Sequence, residues 1–239
     1  MNLILFDEPV TSLLLPRSDR RVAHLVEVLR RRTGESFDAG VINGPRGRGT
    51  LSDLTSEGAS LTFSWDLETP FLDPITLVIG LPRPQSARTL LREVSSLGIS
   101  AVHFILSEKS DPNYLSSSLW QTGEWRRHLI SGAEQAFSTR IPRLTFGQDL
   151  KSILSQIDRT HETRLALDNY ESPIALSQIA TLPGEIILAV GPERGWSAKD
   201  RDLLRDNAFT LAHLGARVLR TETACIVALA LLKTKIGSL

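Results

Sequence analysis

Cysteine is almost missing: the 239 residues hold one, Cys225. That excludes an internal disulfide, and no Cys/His cluster has the spacing of a zinc site, so no metal is expected. Cys225 falls inside an apolar helical pattern and reads as a small core residue. Net charge is also missing. The 27 basic residues balance 27 acidic ones, so bulk electrostatics do not announce a nucleic-acid binder. No hydrophobic run reaches the roughly 20 residues of a membrane span, and Asn2–Phe6 is too short for a signal sequence. A cytoplasmic protein that meets no membrane is the expectation. There is no Gly-Lys-Ser/Thr P-loop and no Gly-x-Gly-x-x-Gly fingerprint, which leaves a nucleotide-dependent enzyme without motif support. Lysine is scarce as well. Only five basic residues are lysine; the rest are arginine, which forks onto phosphate and stacks on bases.

What is present divides the chain at Asp66–Pro74, a stretch with two prolines, three acids and no periodicity. The expected domains are therefore 1–70 and 71–239. In the first, Leu3–Phe6, Ser36–Ile42, Gly49–Leu54 and Ala59–Trp65 read as short strands, with turns at Asn43-Gly44-Pro45 and Ser56-Glu57-Gly58. A helix capped by Ser18 and stopped by Gly34 puts Val22, Leu25, Val26 and Leu29 on one face and Arg20, Arg21, Arg30 and Arg31 on the other. The pattern suggests a small barrel or curled sheet with one helix. All eight basic residues of the first 71 lie between Arg17 and Arg48, among four acids. This local excess, with Arg46-Gly47-Arg48 expected at a turn tip, suits either a phosphate backbone or a plain solvated face.

The remainder alternates strands and helices. Apolar runs Ile75–Leu81, Ala101–Leu106 and Glu185–Val190, with weaker strands Leu144–Phe146, Arg164–Asp168 and Phe209–His213, alternate with helices over Gln85–Leu97, Trp120–Phe137, Leu150–Ile157, Ile174–Ala180, Ala198–Asn207 and Thr223–Ile236. This is an α/β pattern with a mostly parallel sheet. Ligands of such sheets bind beyond the carboxyl ends of the strands. That places Leu81–Pro84, Asp168–Tyr170, Gly191–Trp196 and Leu214–Arg220 near one rim.

Two of these loops carry the chemistry. In Gly191-Pro192-Glu193-Arg194-Gly195-Trp196-Ser197, two glycines allow a tight turn and close backbone approach. Ser197 and Asp200 form a capping box whose helix amides can face an anion. In Leu214-Gly215-Ala216-Arg217-Val218-Leu219-Arg220-Thr221-Glu222-Thr223-Ala224, Thr221 or Thr223 can cap the next helix. Arg217 and Arg220 flank an apolar pair beside Glu222. A cationic, partly apolar loop of this kind suits a flat heteroaromatic ligand and an anionic substrate.

The two segments together resemble the signature of the 16S ribosomal RNA uracil-N3 methyltransferase family (RsmE-like), of the SPOUT class. His24 with Val28-Leu29-Arg30 and Gly34 is similar to its N-terminal helix, and Ala133-Glu134-Gln135 with Arg140 and Pro142 to its central segment. Arg194 departs from the family's glycine, and Arg92–Gly98 lacks its glutamate before Leu97. The resemblance implies an N-terminal PUA-like RNA-binding barrel, a SPOUT α/β domain with a C-terminal trefoil knot, a homodimer, and the cofactor S-adenosylmethionine. It implies methylation of N3 of a uridine in 16S ribosomal RNA of the small subunit, uridine 1498. The cofactor residues it implies are Leu167, Gly191, Pro192, Glu193, Gly195, Leu214, Gly215, Ala216, Val218, Leu219 and Thr223. Arg220 is assigned to the uracil oxygens or imide anion. Glu222 is assigned as a base or as the orienter of Arg220, the second preferred. Arg17, Arg20, Arg21, His24, Arg30, Arg46 and Arg48 are candidate RNA contacts; His24 reads equally well as a structural histidine. The other readings are a different RNA target, or a non-catalytic RNA-binding or ribosome-assembly factor of the same fold.

Overall fold

The computed structural model describes residues 3–68, 71–157, 162–180, 182 and 184–238. Asn2, Thr69 and Pro70, which the sequence reading used, lie outside them. The chain forms two compact units: Met1–Phe71 with Ala133–Ile141, and Leu72–Gly132 with Pro142–Leu239.

The first unit is a five-stranded sheet of β1 (Ile4–Phe6), β2 (Ser12–Pro16), β3 (Ser36–Val41), β4 (Arg46–Leu54) and β5 (Gly58–Leu67), in the order β1-β3-β4-β5-β2. Helix α1 (Arg20–Ala23) runs into a π-helical turn, His24–Val28, and lays Val22 and Leu25 onto a core that includes Ile4, Phe6, Phe37 and Leu51. Several sequence expectations are corrected here. The helix is capped by Asp19, not Ser18: its carboxylate accepts the Arg21 N–H at 2.8 Å. The helix also ends before Gly34, because Arg30 turns left-handed (φ 52°) and Arg31 N–H closes onto Leu25 O at 2.9 Å. Arg46–Arg48 is not a turn tip but the start of β4. A Cβ at Gly47 would lie 1.9 Å from Ser64 O, so this glycine serves strand approach, not a turn. β2 shows no strand pattern in the sequence, because only Leu15 of it is buried. It is an edge strand, where Pro16 is tolerated.

Ala133–Ile141 belongs to the first unit, although the boundary read from sequence leaves it in the second. Hydrogen bonds explain the difference. Glu134 Oε1 accepts Leu5 N–H at 3.2 Å, Thr139 Oγ1 donates to Gly44 O at 2.7 Å, and Asn43 Oδ1 accepts Ile141 N–H at 3.1 Å.

The second unit holds a seven-stranded, all-parallel sheet: β6 (Asp73–Gly80), β7 (Ile99–Leu106), β8 (Arg143–Asp149), β9 (Glu162–Leu167), β10 (Ile174–Ala175), β11 (Glu185–Val190) and β12 (Thr210–His213), ordered β10-β12-β9-β11-β6-β7-β8. Ile75, Leu77, Val78, Ile186 and Leu188 are fully buried, as a sheet covered on both faces requires. The helices are α2 (Pro84–Leu97), α3 (Ser118–Gln121), α4 (Glu124–Gln135), α5 (Leu150–Gln156), α6 (Ala198–Asp206) and α7 (Thr221–Ile236). The single helix expected over Trp120–Phe137 is broken by left-handed Gly123 (φ 73°) and ends at Gln135. The helix expected over Ile174–Ala180 is instead β10 followed by a 3-10 turn, Leu176–Gln178, with only Leu176 of that turn buried.

Because β12, β9, β11 and β6 are adjacent and parallel, the four loops leaving their carboxyl ends share one rim. Buried groups fix that rim. The Trp196 indole, 1% exposed, donates Nε1–H to Leu167 O at 3.0 Å, joining the loop after β11 to the end of β9. Asp168 accepts Tyr170 N–H at 2.8 Å, Glu171 N–H at 2.7 Å and Arg201 Nε–H at 2.8 Å. Lys109 Nζ donates to Trp196 O at 3.0 Å. A Cβ on Gly80 would fall 2.4 Å from Pro192 Cδ, so the loop after β11 can seat only on a glycine here.

Burial opposes ionisation of Asp168, but the Arg201 guanidinium and the two amides outweigh it and hold the carboxyl below its ordinary value of 3.8. Asp168→Asn leaves a buried guanidinium short of its partner and is expected to cost about 3 kcal/mol in urea denaturation at neutral pH. A depressed carboxyl contributes stability above its unfolded pKa and loses it as pH falls through the folded one. The difference between wild type and variant should therefore be full at neutral pH and shrink as pH falls below the ordinary carboxylate value of 3.8.

Candidate functional site

A cavity of about 210 Å³ opens at the rim, walled by the loops after β9, β11 and β12. Leu167, Gly191, Pro192, Glu193, Gly195, Leu214, Val218 and Leu219 line it; Gly215, Ala216 and Thr223 do not. Sequence reasoning assigned no cofactor role to Asp168, Asn169, Tyr170, Arg194, Trp196, Arg217, Thr221 or Ala224, which also line it. The signal for Asp168 was its place at a strand end in a parallel sheet; Trp196 carried none beyond its neighbours.

Local geometry explains the glycines. A Cβ on Gly191 would meet Gly195 Cα and Trp196 N at 3.1 Å, Gly195 is left-handed (φ 66°), and Gly215 sits at φ 111° with its N–H on His213 Nδ1 at 3.0 Å. The capping box is as expected: Ser197 Oγ accepts Asp200 N–H at 3.0 Å, and Asp200 accepts Ser197 N–H at 3.1 Å. These amides are thus spent on the protein's own cap. Val218 and Tyr170, both 78% exposed, leave apolar surface at the mouth. The cavity offers apolar walls for a flat ring, exposed main chain, and charges of both signs in Glu193, Arg194 and Arg217. That set fits a ligand combining a heteroaromatic ring, hydroxyls and a zwitterionic tail, as in S-adenosylmethionine.

A second cavity, about 500 Å³, adjoins the first and shares Glu193, Val218, Leu219 and Thr221 with it. Its other walls come from the starts of α2 (Arg83, Gln85, Ser86, Thr89) and α7 (Arg220, Glu222). Glu193 Oε1 accepts Arg83 N–H at 2.9 Å and Nε–H at 3.4 Å. The cap of α7 is not Thr221 or Thr223. Arg220 holds that position with no side-chain cap bond, its cation at the positive end of the helix dipole, where it gains nothing. Among the described residues neither the Arg220 nor the Glu222 side chain has an ion-pair or hydrogen-bond partner, including each other. Cys225, one turn further on, is fully buried, and burial raises its thiol pKa.

In the first unit the basic residues divide into free and engaged. Arg17, Arg20 and Arg30 are exposed, Arg20 at 3.9 Å from Glu134. Arg21 is not free: it pairs with Asp19 at 2.8 Å and lies 5.1 Å above the Phe6 ring. Arg46 stacks over Phe137 at 5.0 Å, and Arg48 pairs with Asp38 at 2.7 Å. His24 is half-buried, and burial with the nearby Arg20 charge holds its imidazole below the usual value. Among the described residues no group of three or more His, Cys, Asp or Glu is placed to hold a metal, and no helix is long and apolar enough to cross a membrane.

Comparison with known proteins agrees with this geometry. The family model of an RNA methyltransferase domain matches residues 68–233. The chain is 36% identical over 240 residues to a ribosomal RNA small subunit methyltransferase E of Treponema pallidum, covering 96% of this chain and 90% of that one. It is 29% identical over 234 residues to a protein of the same name, numbered 1, from Borreliella burgdorferi, covering 95% of each. In fold it resembles a ribosomal RNA small subunit methyltransferase E from Neisseria gonorrhoeae, whose crystal structure has S-adenosyl methionine bound. The TM-score is 0.82 at 23% identity, over 98% of this chain and 97% of that one. A parallel α/β sheet with two cavities at one rim, a matched methyltransferase domain and near full-length likeness converge: the chain belongs to the RNA methyltransferases, in the ribosomal RNA small subunit methyltransferase E family.

Proposed function

We propose that this protein methylates N3 of a uridine in 16S ribosomal RNA, uridine 1498 of the small subunit, with S-adenosylmethionine as donor. One observation carries the reading: a cavity suited to the donor shares a wall with a second cavity holding unpartnered Arg220 and Glu222. When bound, S-adenosylmethionine supplies an activated methyl group, whose C–S bonding pair leaves with the thioether as N3 donates its own pair. The protein's residues position and polarise. Leu167, Leu214, Val218 and Leu219 hold the adenine, and Gly191, Glu193 and Gly195 flank the ribose and methionine side. The N3 proton must be lost, so Arg220 stabilises the imide charge as it develops, and Glu222 takes the proton or orients Arg220.

The resemblance supports the rest of the reading. The first unit is a PUA-like RNA-binding domain, the loops after β11 and β12 belong to a trefoil knot, and the protein acts as a cytoplasmic homodimer on the small ribosomal subunit. Knots are rare enough that family likeness alone supports that feature.

Purified small subunits lacking the modification, incubated with protein and donor, should yield 3-methyluridine by nucleoside mass spectrometry; another methylated nucleoside would reject the assignment. Arg220→Ala should lower kcat roughly 100-fold while calorimetric affinity for S-adenosylmethionine stays near wild type. For RNA contact, Arg17→Ala with Arg20→Ala should weaken binding and reduce its salt slope by about two. Arg21→Ala should instead lower thermal stability, since its guanidinium is engaged within the fold.

A further inference from the structure

We propose that Arg83 is a second guanidinium of the uracil site. It shares with Arg220 the stabilisation of the imide anion, while Glu222 receives the N3 proton. The inference rests on the reading above and deepens it. A uracil that loses its N3 proton keeps the N–H bonding pair, and the charge spreads over N3, O2 and O4. The two oxygens flank N3 on opposite sides. One guanidinium cannot serve both well, so a site that stabilises this anion needs donors on two walls and an acceptor near N3.

The second cavity has that set. Arg83 approaches from the start of α2 and Arg220 from the start of α7, two helices that pack against each other, and Glu222 lies in the first turn of α7. Pairing separates these groups from the arginines of α2 and α6. In the same unit Arg88 is forked onto Glu124, Arg201 is bonded to Asp168, and Arg205 pairs with Glu171 and Asp202. Arg83 gives only Nε to Glu193, at 3.4 Å. Among the described residues its two terminal nitrogens have no partner, and neither do the side chains of Arg220 and Glu222. Arg83 and Arg220, left without a carboxylate on their terminal nitrogens around one cavity, are available to a substrate. No ion pair between Arg220 and Glu222 occupies the carboxylate, which leaves it open to accept the proton and pass it to solvent.

Arg83 also makes a clean test possible. Its shorter bond to Glu193, 2.9 Å, comes from its backbone N–H, so Arg83→Ala keeps the connection between the loops and loses only the guanidinium. The first measurement is calorimetry, where the variant should bind S-adenosylmethionine within about threefold of wild type. Its kcat should fall roughly 100-fold with little change in KM. The defect should shrink when the target uridine is replaced by 5-fluorouridine, whose N3 proton is more acidic and needs less help to leave. Independently of turnover, RNA affinity in the presence of S-adenosylhomocysteine should tighten as pH rises toward uridine ionisation in wild type and tighten less in Arg83→Ala. Loss of donor binding would reduce Arg83 to a structural role. A defect confined to KM with a lower salt slope would make it a phosphate contact. An equal defect on 5-fluorouridine would also overturn the proposal. If wild type makes no 3-methyluridine, the functional reading fails and this inference with it; if wild type makes it and Arg83→Ala matches wild type, only the inference fails.

Discussion

The buried contact between Asp168 and Arg201 governs the rim on which everything else depends. A parallel sheet brings strand ends together but leaves their loops free to wander. Here one carboxylate gathers two amides of its own loop and a guanidinium from α6, while the Trp196 indole ties the loop after β11 to the end of β9. Both groups are desolvated, so each is costly alone and secure together. Two of the three cavity walls, the loops after β9 and β11, are therefore held by the protein's own contacts, the condition under which a few polar groups can act on a developing charge.

The arginine distribution follows the same logic of commitment. Arg21, Arg88 and Arg201 are engaged by carboxylates and hold the fold, whereas Arg17, Arg20, Arg30 and Arg220 are open to solvent. Composition alone could not separate these classes, because two of the three engaged arginines find partners distant in sequence. Glu124 lies 36 residues from Arg88, and Asp168 lies 33 from Arg201.

What the sequence made legible was periodic or conformationally demanding. Buried strands such as Glu185–Val190 announced themselves as continuous apolar runs, and the Ser197–Asp200 cap by its spacing. The two glycine loops were legible because Gly195 and Gly215 need positive φ and Gly191 needs close approach. What escaped was set by contacts rather than pattern. Ser12–Pro16 is a strand because β5 offers it an edge, and Asp19 displaced Ser18 as the cap because it also binds the Arg21 guanidinium. Gly123 breaks what reads as one amphipathic helix, and nothing local to Arg30 foretells its left-handed turn. At the site, Asp168 lies outside the glycine motifs, and Trp196, though inside one, shows nothing in sequence of its bond to Leu167 O.

Glu193 belongs to two cavities at once, its carboxylate held by the Arg83 amide. A wall shared in this way makes the two occupancies thermodynamically linked. A ligand in one cavity that favours the present carboxylate position raises affinity in the other, and linkage requires the second ligand to return the same factor to the first. In the function proposed above, donor and acceptor would then report on each other's presence through the wall that Glu193 forms with Val218, Leu219 and Thr221.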